Sequence, residues 1–169
     1  MANQLNMQKS RDCHRIIGQQ QISNPGNFVR RQLSDGKFTL VSKEPVIKGY
    51  WSHEGLLRIL ENLCNNAVKY GRDHSPITVT LDKQGDEVSL SVHNFGNPIQ
   101  PQELAKLFTP YQRNEKDKDA IKGWGLGLTL VKGLTESHRG RVNLESNMDQ
   151  GTTFTVTIPQ DSRMAPING

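Results

Sequence analysis

The sequence predicts an α+β fold, a two-layer sandwich with about three helices on one face of a mixed, mostly antiparallel sheet. Five to six short segments alternate apolar and polar residues, which is typical of half-buried strands. The helical patterns form two clusters between these strands, and helices segregated onto one face of a sheet give this architecture. No repeat period is visible.

Regular structure is predicted to begin at Lys37. The segment Lys37–Ser42 alternates like a half-buried strand, and Pro45–Trp51 is a second short strand. Ser52 then stands at a natural N-cap position. Apolar residues recur behind it at helical spacing, namely Leu56, Leu57, Leu60, Leu63, Cys64, Ala67 and Val68. The helix is expected to end at Gly71, acting as a left-handed residue just after the last turn.

Four further segments alternate in polarity and predict two antiparallel strand pairs. Ile77–Leu81 and Val88–His93 flank a turn at residues 84–86, so they form a hairpin. Arg141–Ser146 and Thr153–Ile158 form the last pair around residues 148–151.

The segments between these strand pairs predict two helices and a long connection. Pro101–Phe108 is a short helix with proline in its first turn, and Gly125–His138 is a longer one. Between them, Thr109–Trp124 is polar and charged. A connection of this length inside a compact domain predicts a lid that is mobile without ligand.

The two ends of the chain are expected to lie outside the domain. Residues 1–35 read as a linker or the remnant of a preceding helical region, with a short helix before the breaker at 24–27. The domain itself is placed at residues 36–160. Residues 161–169 are expected to be a frayed C-terminal tail.

Composition excludes several classes of protein. The net charge is +4, but the longest charged stretch, Arg113–Lys118, mixes both signs, so nucleic acid is not an expected partner. No apolar run approaches the roughly 20 residues of a membrane helix, and Met1–Ser10 is too polar for a signal peptide. Cys13 and Cys64 read as reduced thiols, which predicts a cytoplasmic location, with a membrane anchor elsewhere in the parent protein left open.

The first long helix carries an unusual polar face. Asn62, Asn66, Lys69 and Tyr70 recur at spacings of three and four, opposite the leucines. Asparagine is a mediocre helix former, because its side chain competes for backbone hydrogen bonds. The amide oxygen of Asn66 suits Mg²⁺, and Lys69 can neutralise phosphate oxygens. The plain alternative is an ordinary solvated helix face.

Two other segments can build a nucleotide pocket. In Val92–Gln100, a strand leads directly into Asn94, whose amide can pair with adenine, and Gly96 would let the backbone approach the flat base. An ordinary turn is the alternative there. The glycines of Gly123–Leu128 open a helix and can wrap an anion with backbone amides. The segment matches neither a dinucleotide-binding fingerprint nor a Walker motif.

The order of these segments resembles the histidine-kinase branch of the gyrase/Hsp90 ATPase superfamily, over roughly residues 37–159. Five motifs carry the resemblance, and in that family they are named the N box, the G1 box, the F box, the G2 box and the last nucleotide-contacting turn. In this sequence they are LENLCNNAVKYG at 60–71, VHNFGNPI at 92–99, LFTPYQR at 107–113, GWGLGLTLV at 123–131 and GTTF at 151–154. The resemblance implies a Bergerat-type α/β sandwich that binds ATP and Mg²⁺.

The resemblance also implies a role for individual residues on the phosphate side. Asn66 matches the Mg²⁺-binding asparagine, and Asn62 its polar partner one turn earlier. Lys69 and Tyr70 match residues beside the phosphates and the ribose. Arg113 is similar to a basic residue of the lid. The phosphate cradle would comprise the remaining positions, which are Gly123, Gly125, Leu126, Gly127 and Leu128.

On the base side, the resemblance places Asn94 at the adenine-reading position, together with Gly96 and Ile99 of the same box. Phe108 would pack under the lid, and Thr153 stands where the family has a hydroxyl that contacts adenine. The family usually has aspartate where this chain has Asn94. Asparagine keeps an acceptor for the adenine amine but loses charge assistance, at a cost of about 1 kcal/mol.

The sequence lacks the family's phosphoacceptor motif, because none of its five histidines fits that pattern. The resemblance therefore implies transfer of the ATP γ-phosphoryl group to a histidine on a separate dimerisation and phosphoacceptor domain, with a response regulator downstream. This fragment would be monomeric and the parent a homodimer. One alternative is a nucleotide-binding regulatory module without phosphotransfer. A serine kinase that binds a sigma-factor partner is another, and the F box argues against it.

Overall fold

A computed structural model of the chain describes residues 19–23, 38–44, 46–104, 106–108 and 127–163. Within them lie three helices: α1 (His53–Tyr70), α2 (Pro101–Leu104) and α3 (Gly127–Ser137). None of these helices is long and apolar enough to cross a membrane.

Seven strands accompany these helices: β1 (Gln19–Ser23), β2 (Phe38–Ser42), β3 (Val46–Tyr50), β4 (Ile77–Gln84), β5 (Glu87–Asn94), β6 (Arg141–Asn147) and β7 (Gly151–Pro159). Five of them form one sheet in the order β2-β4-β5-β7-β6, in which only the β2–β4 pair is parallel. The other two, β1 and β3, form a small antiparallel sheet. The predicted mixed, mostly antiparallel sandwich is confirmed.

The core lies between the helices and one face of the five-stranded sheet. On the helix side it is made by buried residues of α1 and α3, which are Ile59, Leu60, Leu63, Cys64, Ala67, Leu128 and Val131. The sheet contributes alternate residues of its central strands, which are Val79, Leu81, Val88, Val92, Phe154, Val156 and Ile158. Alternate side chains of a strand point to opposite faces, so one face is apolar and the other carries serine and threonine.

The expected helix before the breaker at 24–27 is wrong for the residues that the structure describes there. Gln19–Ser23 is a strand, paired antiparallel with Val46–Tyr50 from Gln19↔Tyr50 to Ser23↔Val46. A polar, weakly periodic segment has little preference of its own, so the open edge of β3 decides its conformation by supplying backbone partners.

Part of the expected C-terminal tail belongs to the fold. Ser162 is buried, and both its backbone N–H and its hydroxyl donate to the carbonyl of Tyr50, at 3.1 and 2.6 Å. The guanidinium of Arg163 lies 3.5 Å from the centroid of the Tyr50 ring. These contacts join residues 162 and 163 to β3, so this part of the expected tail is packed on the domain.

Gly71 ends α1 for a different reason from the one expected. Its φ is −70° and its ψ is 156°, an extended conformation that any residue adopts. A Cβ there would lie 2.4 Å from the carbonyl oxygen of Ala67, which accepts the Gly71 N–H. Glycine is needed for this close approach and not for a left-handed backbone.

Cys64 is a core residue with no exposed surface, and this burial raises the pKa of its thiol to about 12. At pH 8, on the order of one thiol in ten thousand is then a thiolate, the reactive form. We expect iodoacetamide to leave Cys64 unmodified in the native chain and to alkylate it within minutes in denaturant. Peptide mass spectrometry measures this separately from Cys13. Rapid native labelling of Cys64 would contradict the packing described here.

Candidate functional site

The polar face of α1 carries two asparagines with different surroundings. The side-chain amide nitrogen of Asn62 donates to the carbonyl of Arg58, at 2.7 Å. Asn66, one turn later, is 9% exposed, and its amide nitrogen has no hydrogen-bond partner among the residues described. A buried polar group without a partner costs about 1–3 kcal/mol, so Asn66 is suited to a ligand that completes its bonding.

The first turn of α3 lies against this polar face. A Cβ on Gly127 would lie 2.7 Å from the side-chain oxygen of Asn62, so a larger residue there would displace the Asn62 amide. Leu128 points the other way and is fully buried in the core. The structure thus brings Asn62 next to the N-terminus of α3, and Asn66 follows Asn62 one turn later on α1. Backbone N–H groups at such a terminus attract anions.

The turn after β5 packs on the C-terminal end of α1. The backbone N–H of Arg72 donates to the carbonyl of Phe95, at 2.6 Å. A Cβ on Gly96 would lie 2.4 Å from the carbonyl oxygen of Tyr70. Glycine at position 96 therefore makes room for the helix end, and that its backbone also approaches a flat base stays a prediction.

Asn94 is buried at the end of β5, directly across from Thr152 of β7. Its amide nitrogen makes one long hydrogen bond, 3.4 Å, to the carbonyl of Phe95. Gly151 has a φ of +78°, and a Cβ there would lie 2.4 Å from the carbonyl oxygen of Asn94. The turn before β7 therefore packs tightly against the backbone of Asn94.

Thr153 is placed on the wrong face of the sheet for the role expected of it. Its cross-strand partner is His93, whose side chain lies on the face opposite to Asn94. Thr152 instead shares the face of Asn94 and is 4% exposed. The signal was present in the sequence, because Phe154 is a core residue and Thr152 is two positions away from it.

A chain of hydroxyls extends from Thr152 into the G1 segment. The Thr152 and Ser146 hydroxyl oxygens are 2.7 Å apart, and the Ser146 oxygen accepts the backbone N–H of Ile99 at 2.9 Å. Ile99 is 9% exposed. Ser146 and Thr152 were not among the predicted site residues. Nothing local in the sequence indicates that Ser146 holds Ile99, because the two are 47 residues apart.

Phe108 lies beside the same region, with its ring centroid 6.5 Å from that of Phe154 in an edge-to-face arrangement. Lys69 and Tyr70 lie at the end of α1, where the Lys69 ammonium is 5.2 Å from the centroid of the Tyr70 ring. The remaining predicted site residues lie outside the described residues, as does the predicted lid at 109–124: Arg113, Gly123, Gly125 and Leu126.

A cavity of about 20 Å³ lies beside Asn94, between Gly71, His74 and Phe95, and has room for roughly one water. It is at the C-terminal end of α1, two turns beyond the contact of Asn62 with Gly127. This cavity is therefore only the part of the candidate site beside Asn94, and the Asn62–Gly127 contact lies outside it.

Comparison with known proteins agrees with this geometry. Residues 52–162, more than half of the chain, match the family described as histidine kinase-, DNA gyrase B-, and HSP90-like ATPases. Sensor histidine kinase YvrG of Bacillus subtilis is 34% identical over 131 residues, which cover 77% of this chain and 23% of YvrG. The chain spans less than a quarter of the length of this relative.

Solved structures have the same fold. The catalytic domain of histidine kinase ThkA superposes with a TM-score of 0.70 at 20% identity, covering 86% of this chain and 98% of that domain. The mycobacterial sensor histidine kinase MprB superposes with a TM-score of 0.64 at 25% identity, covering 80% and 89%. With residues 52–162 matched, this chain belongs to the histidine kinase-, DNA gyrase B-, and HSP90-like ATPases, as its motifs indicated.

Proposed function

We propose that this chain is the ATP-binding catalytic domain of a two-component sensor histidine kinase, transferring the γ-phosphoryl group of ATP to a histidine on a separate domain. The observation that carries the proposal is the buried amide of Asn66, without a partner among the described residues, beside the Asn62–Gly127 contact. Family membership and the sensor histidine kinase YvrG among the relatives support it.

The residues present fit Mg²⁺ held by few protein ligands. Asn66 would offer its amide oxygen, since a side-chain amide can turn either end towards a ligand. Mg²⁺ prefers oxygen ligands, keeps several waters and shares substrate phosphates, so one protein oxygen is enough. When bound, the ion would neutralise charge on the phosphates. Among the residues described, no group of three His, Cys, Asp or Glu side chains competes for it.

The roles of the other residues follow from their positions. Asn62 would hold the first turn of α3 in place, and Lys69 would face the phosphates from the end of α1. Tyr70 would lie beside the ribose. Asn94 would read the adenine edge, with Thr152 taking the role first expected of Thr153. For Arg113 in the lid and the phosphate cradle at 123–127, the motif match alone supports the proposed roles.

Catalysis in this proposal depends on positioning and charge neutralisation, because phosphoryl transfer needs little covalent help from protein. The acceptor imidazole nitrogen forms the new N–P bond while the bond from the γ-phosphorus to the β–γ bridging oxygen breaks and ADP leaves. The imidazole proton passes to a base on the acceptor domain. The acceptor, a dimerisation domain and a response regulator are the expected partners.

We propose that the domain runs from about residue 36 through Arg163, with β1 as an addition at the edge of β3. Its site of action would be the cytoplasm, where ATP and response regulators are found. The fragment would be a monomer and the parent protein a homodimer.

Radiolabel transfer tests the proposal. The chain is mixed with [γ-³²P]ATP, Mg²⁺ and a purified histidine-containing hairpin from a sensor kinase, and acid-labile label on the hairpin is measured. We expect label on the hairpin, and none when its histidine is replaced by alanine. Binding of Mg–ATP without any transfer would instead identify a regulatory module. No binding would reject both functions.

The threonine assignment has a matched pair of variants. Thr152→Val removes the hydroxyl bonded to Ser146 and keeps the shape of the side chain. It is expected to lower the free energy of unfolding by about 1 kcal/mol and to weaken ATP binding about tenfold. Thr153→Val, on the other face, is expected to bind ATP within about twofold of wild type. Calorimetry measures the ATP affinity of both variants. A larger loss in Thr153→Val than in Thr152→Val would return the adenine-contacting role to Thr153.

A further inference from the structure

His138 joins the beginning of α1 to the end of α3. It is 5% exposed, and its Nε2 accepts the backbone N–H of Ser52 at 3.1 Å. Its Nδ1 lies 2.7 Å from the carbonyl oxygen of Leu134. Ser52 is the N-cap of α1, and Leu134 is in the last turn of α3. One imidazole therefore satisfies a backbone group at the end of each helix.

The two partners determine the protonation state of the ring. The Ser52 N–H can only donate, so Nε2 must be unprotonated. The Leu134 carbonyl can only accept, so Nδ1 must carry the proton. Ser137 is the third polar neighbour, and its hydroxyl donates to the same carbonyl at 2.7 Å. His138 is thus a neutral Nδ1–H tautomer, an arrangement that neither leucine nor asparagine reproduces.

Gly55 leaves the space that the imidazole of His138 occupies. In a capping box, the residue three positions after the N-cap sends a Glu or Gln side chain back to the N-cap N–H. Here that residue is Gly55, and a Cβ on it would lie 2.9 Å from Cε1 of His138. Glycine costs a helix about 1 kcal/mol relative to alanine. The acceptor that Gly55 cannot supply comes from His138.

The other end of the same helix pair is the candidate nucleotide site. His138 meets α1 at Ser52 and Gly55, whereas Gly127 at the start of α3 meets α1 at Asn62. The two helices are therefore antiparallel and joined at two points, about 15 Å apart at a rise of 1.5 Å per residue. We call the contact of His138 with Ser52 and Gly55 the His138 joint. A shift of this joint would tilt α3 and move Gly127 relative to Asn62.

We propose that His138 is a positioning residue for ATP, which sets the separation between the asparagine face of α1 and the N-terminus of α3. The inference rests on the proposed nucleotide site. Because the joint acts on the phosphate side, its loss weakens Mg–ATP more than ADP. Adenine contacts at Asn94 come from β5 and are not moved by this joint.

Two substitutions separate the role of Nε2 from the role of Nδ1. His138→Gln places an amide oxygen near the position of Nε2 and keeps an acceptor for Ser52. His138→Asn reaches only the position of Nδ1 and loses the bond between the helices. We expect the asparagine variant to weaken Mg–ATP binding about tenfold, and the glutamine variant to stay within about threefold of wild type, measured by calorimetry on the full chain.

A second variant displaces the ring without deleting it. Gly55→Ala improves helix propensity but puts a methyl group against Cε1 of His138, so it is expected to weaken Mg–ATP binding about threefold without lowering the melting temperature. Val88→Ala is the control for general destabilisation, because Val88 is a buried core residue of β5, across from Ile158, and belongs to neither of the two helices. It is expected to lower the melting temperature and leave the Kd unchanged.

The ratio of the Kd for Mg–ATP to the Kd for ADP is the deciding measurement. A ratio that rises in His138→Asn and Gly55→Ala, but not in Val88→Ala, supports the positioning role. Equal Mg–ATP affinity in wild type and His138→Asn overturns it, as does an equal loss in Val88→Ala. Absence of Mg–ATP binding by the wild-type chain would reject the proposed nucleotide site instead. In ¹⁵N NMR, a protonated Nε2 of His138 at pH 7 would also overturn the inference.

Discussion

Asn66→Ala is expected to weaken Mg²⁺-dependent ATP binding strongly while making the fold more stable. The affinity loss should be on the order of 100-fold, about 2.7 kcal/mol, because the proposed metal ligand is removed. Stability should rise by about 1 kcal/mol, since alanine replaces a buried amide whose nitrogen has no partner among the residues described, and alanine favours helix. Calorimetry with ATP, with and without Mg²⁺, and thermal unfolding measure the two changes.

Asn65 provides the control on the same helix. It is adjacent in sequence but exposed, so Asn65→Ala changes helix propensity by a similar amount without touching the site. We expect unchanged ATP affinity for that variant. If Asn66→Ala raises the stability and lowers the ATP affinity, Asn66 is a residue retained for its ligand. If Asn66→Ala lowers stability and leaves Mg–ATP binding intact, Asn66 is a structural residue and the proposed metal site is wrong.

Substitution of Asn94 is expected to change which base is bound. An amide both donates and accepts, and it can turn over, so it can pair with the N6/N1 edge of adenine or with the O6/N1 edge of guanine. A carboxylate only accepts, which suits the adenine amine and repels guanine O6. Asn94→Asp should therefore strengthen ATP binding about fivefold and weaken GTP binding at least about tenfold.

Asn94→Ala completes this series. Without any polar group at the end of β5, ATP binding should fall about 30-fold, and the preference between ATP and GTP should disappear. Competition of each nucleotide against a fluorescent ATP analogue measures both affinities in one experiment. An unchanged ATP to GTP ratio across asparagine, aspartate and alanine would show that Asn94 does not face the base.

Periodicity explains why the sequence predicted most of the fold. The helix at residues 53–70 and the two antiparallel strand pairs have strong alternation or helical spacing, and each was found within a few residues of its observed bounds. Gln19–Ser23 has no such pattern, and its strand exists because β3 offers an edge. Ser162 likewise depends on a carbonyl of β3 that is 112 residues away.

The glycines also show what the sequence predicts and what it does not. The sequence predicts that Gly71 and Gly96 interrupt regular structure, but it does not show why glycine is needed at these positions. Both approach carbonyl oxygens of α1 closely, Gly71 at Ala67 and Gly96 at Tyr70, and the backbone of Gly71 is not left-handed. Among the glycines that the structure describes, Gly151 alone combines a positive φ with such an approach.

The sequence by itself determined the α+β class, the membership of an ATPase family and the residues of the polar helix face, because spacing along one element is a local property. Only the tertiary structure decided that Asn62 meets Gly127, that Ser146 accepts the backbone N–H of Ile99, and that His138 joins the two helices. These are contacts between elements far apart in sequence. Their geometry depends on how the helices pack on the sheet, which no local pattern records.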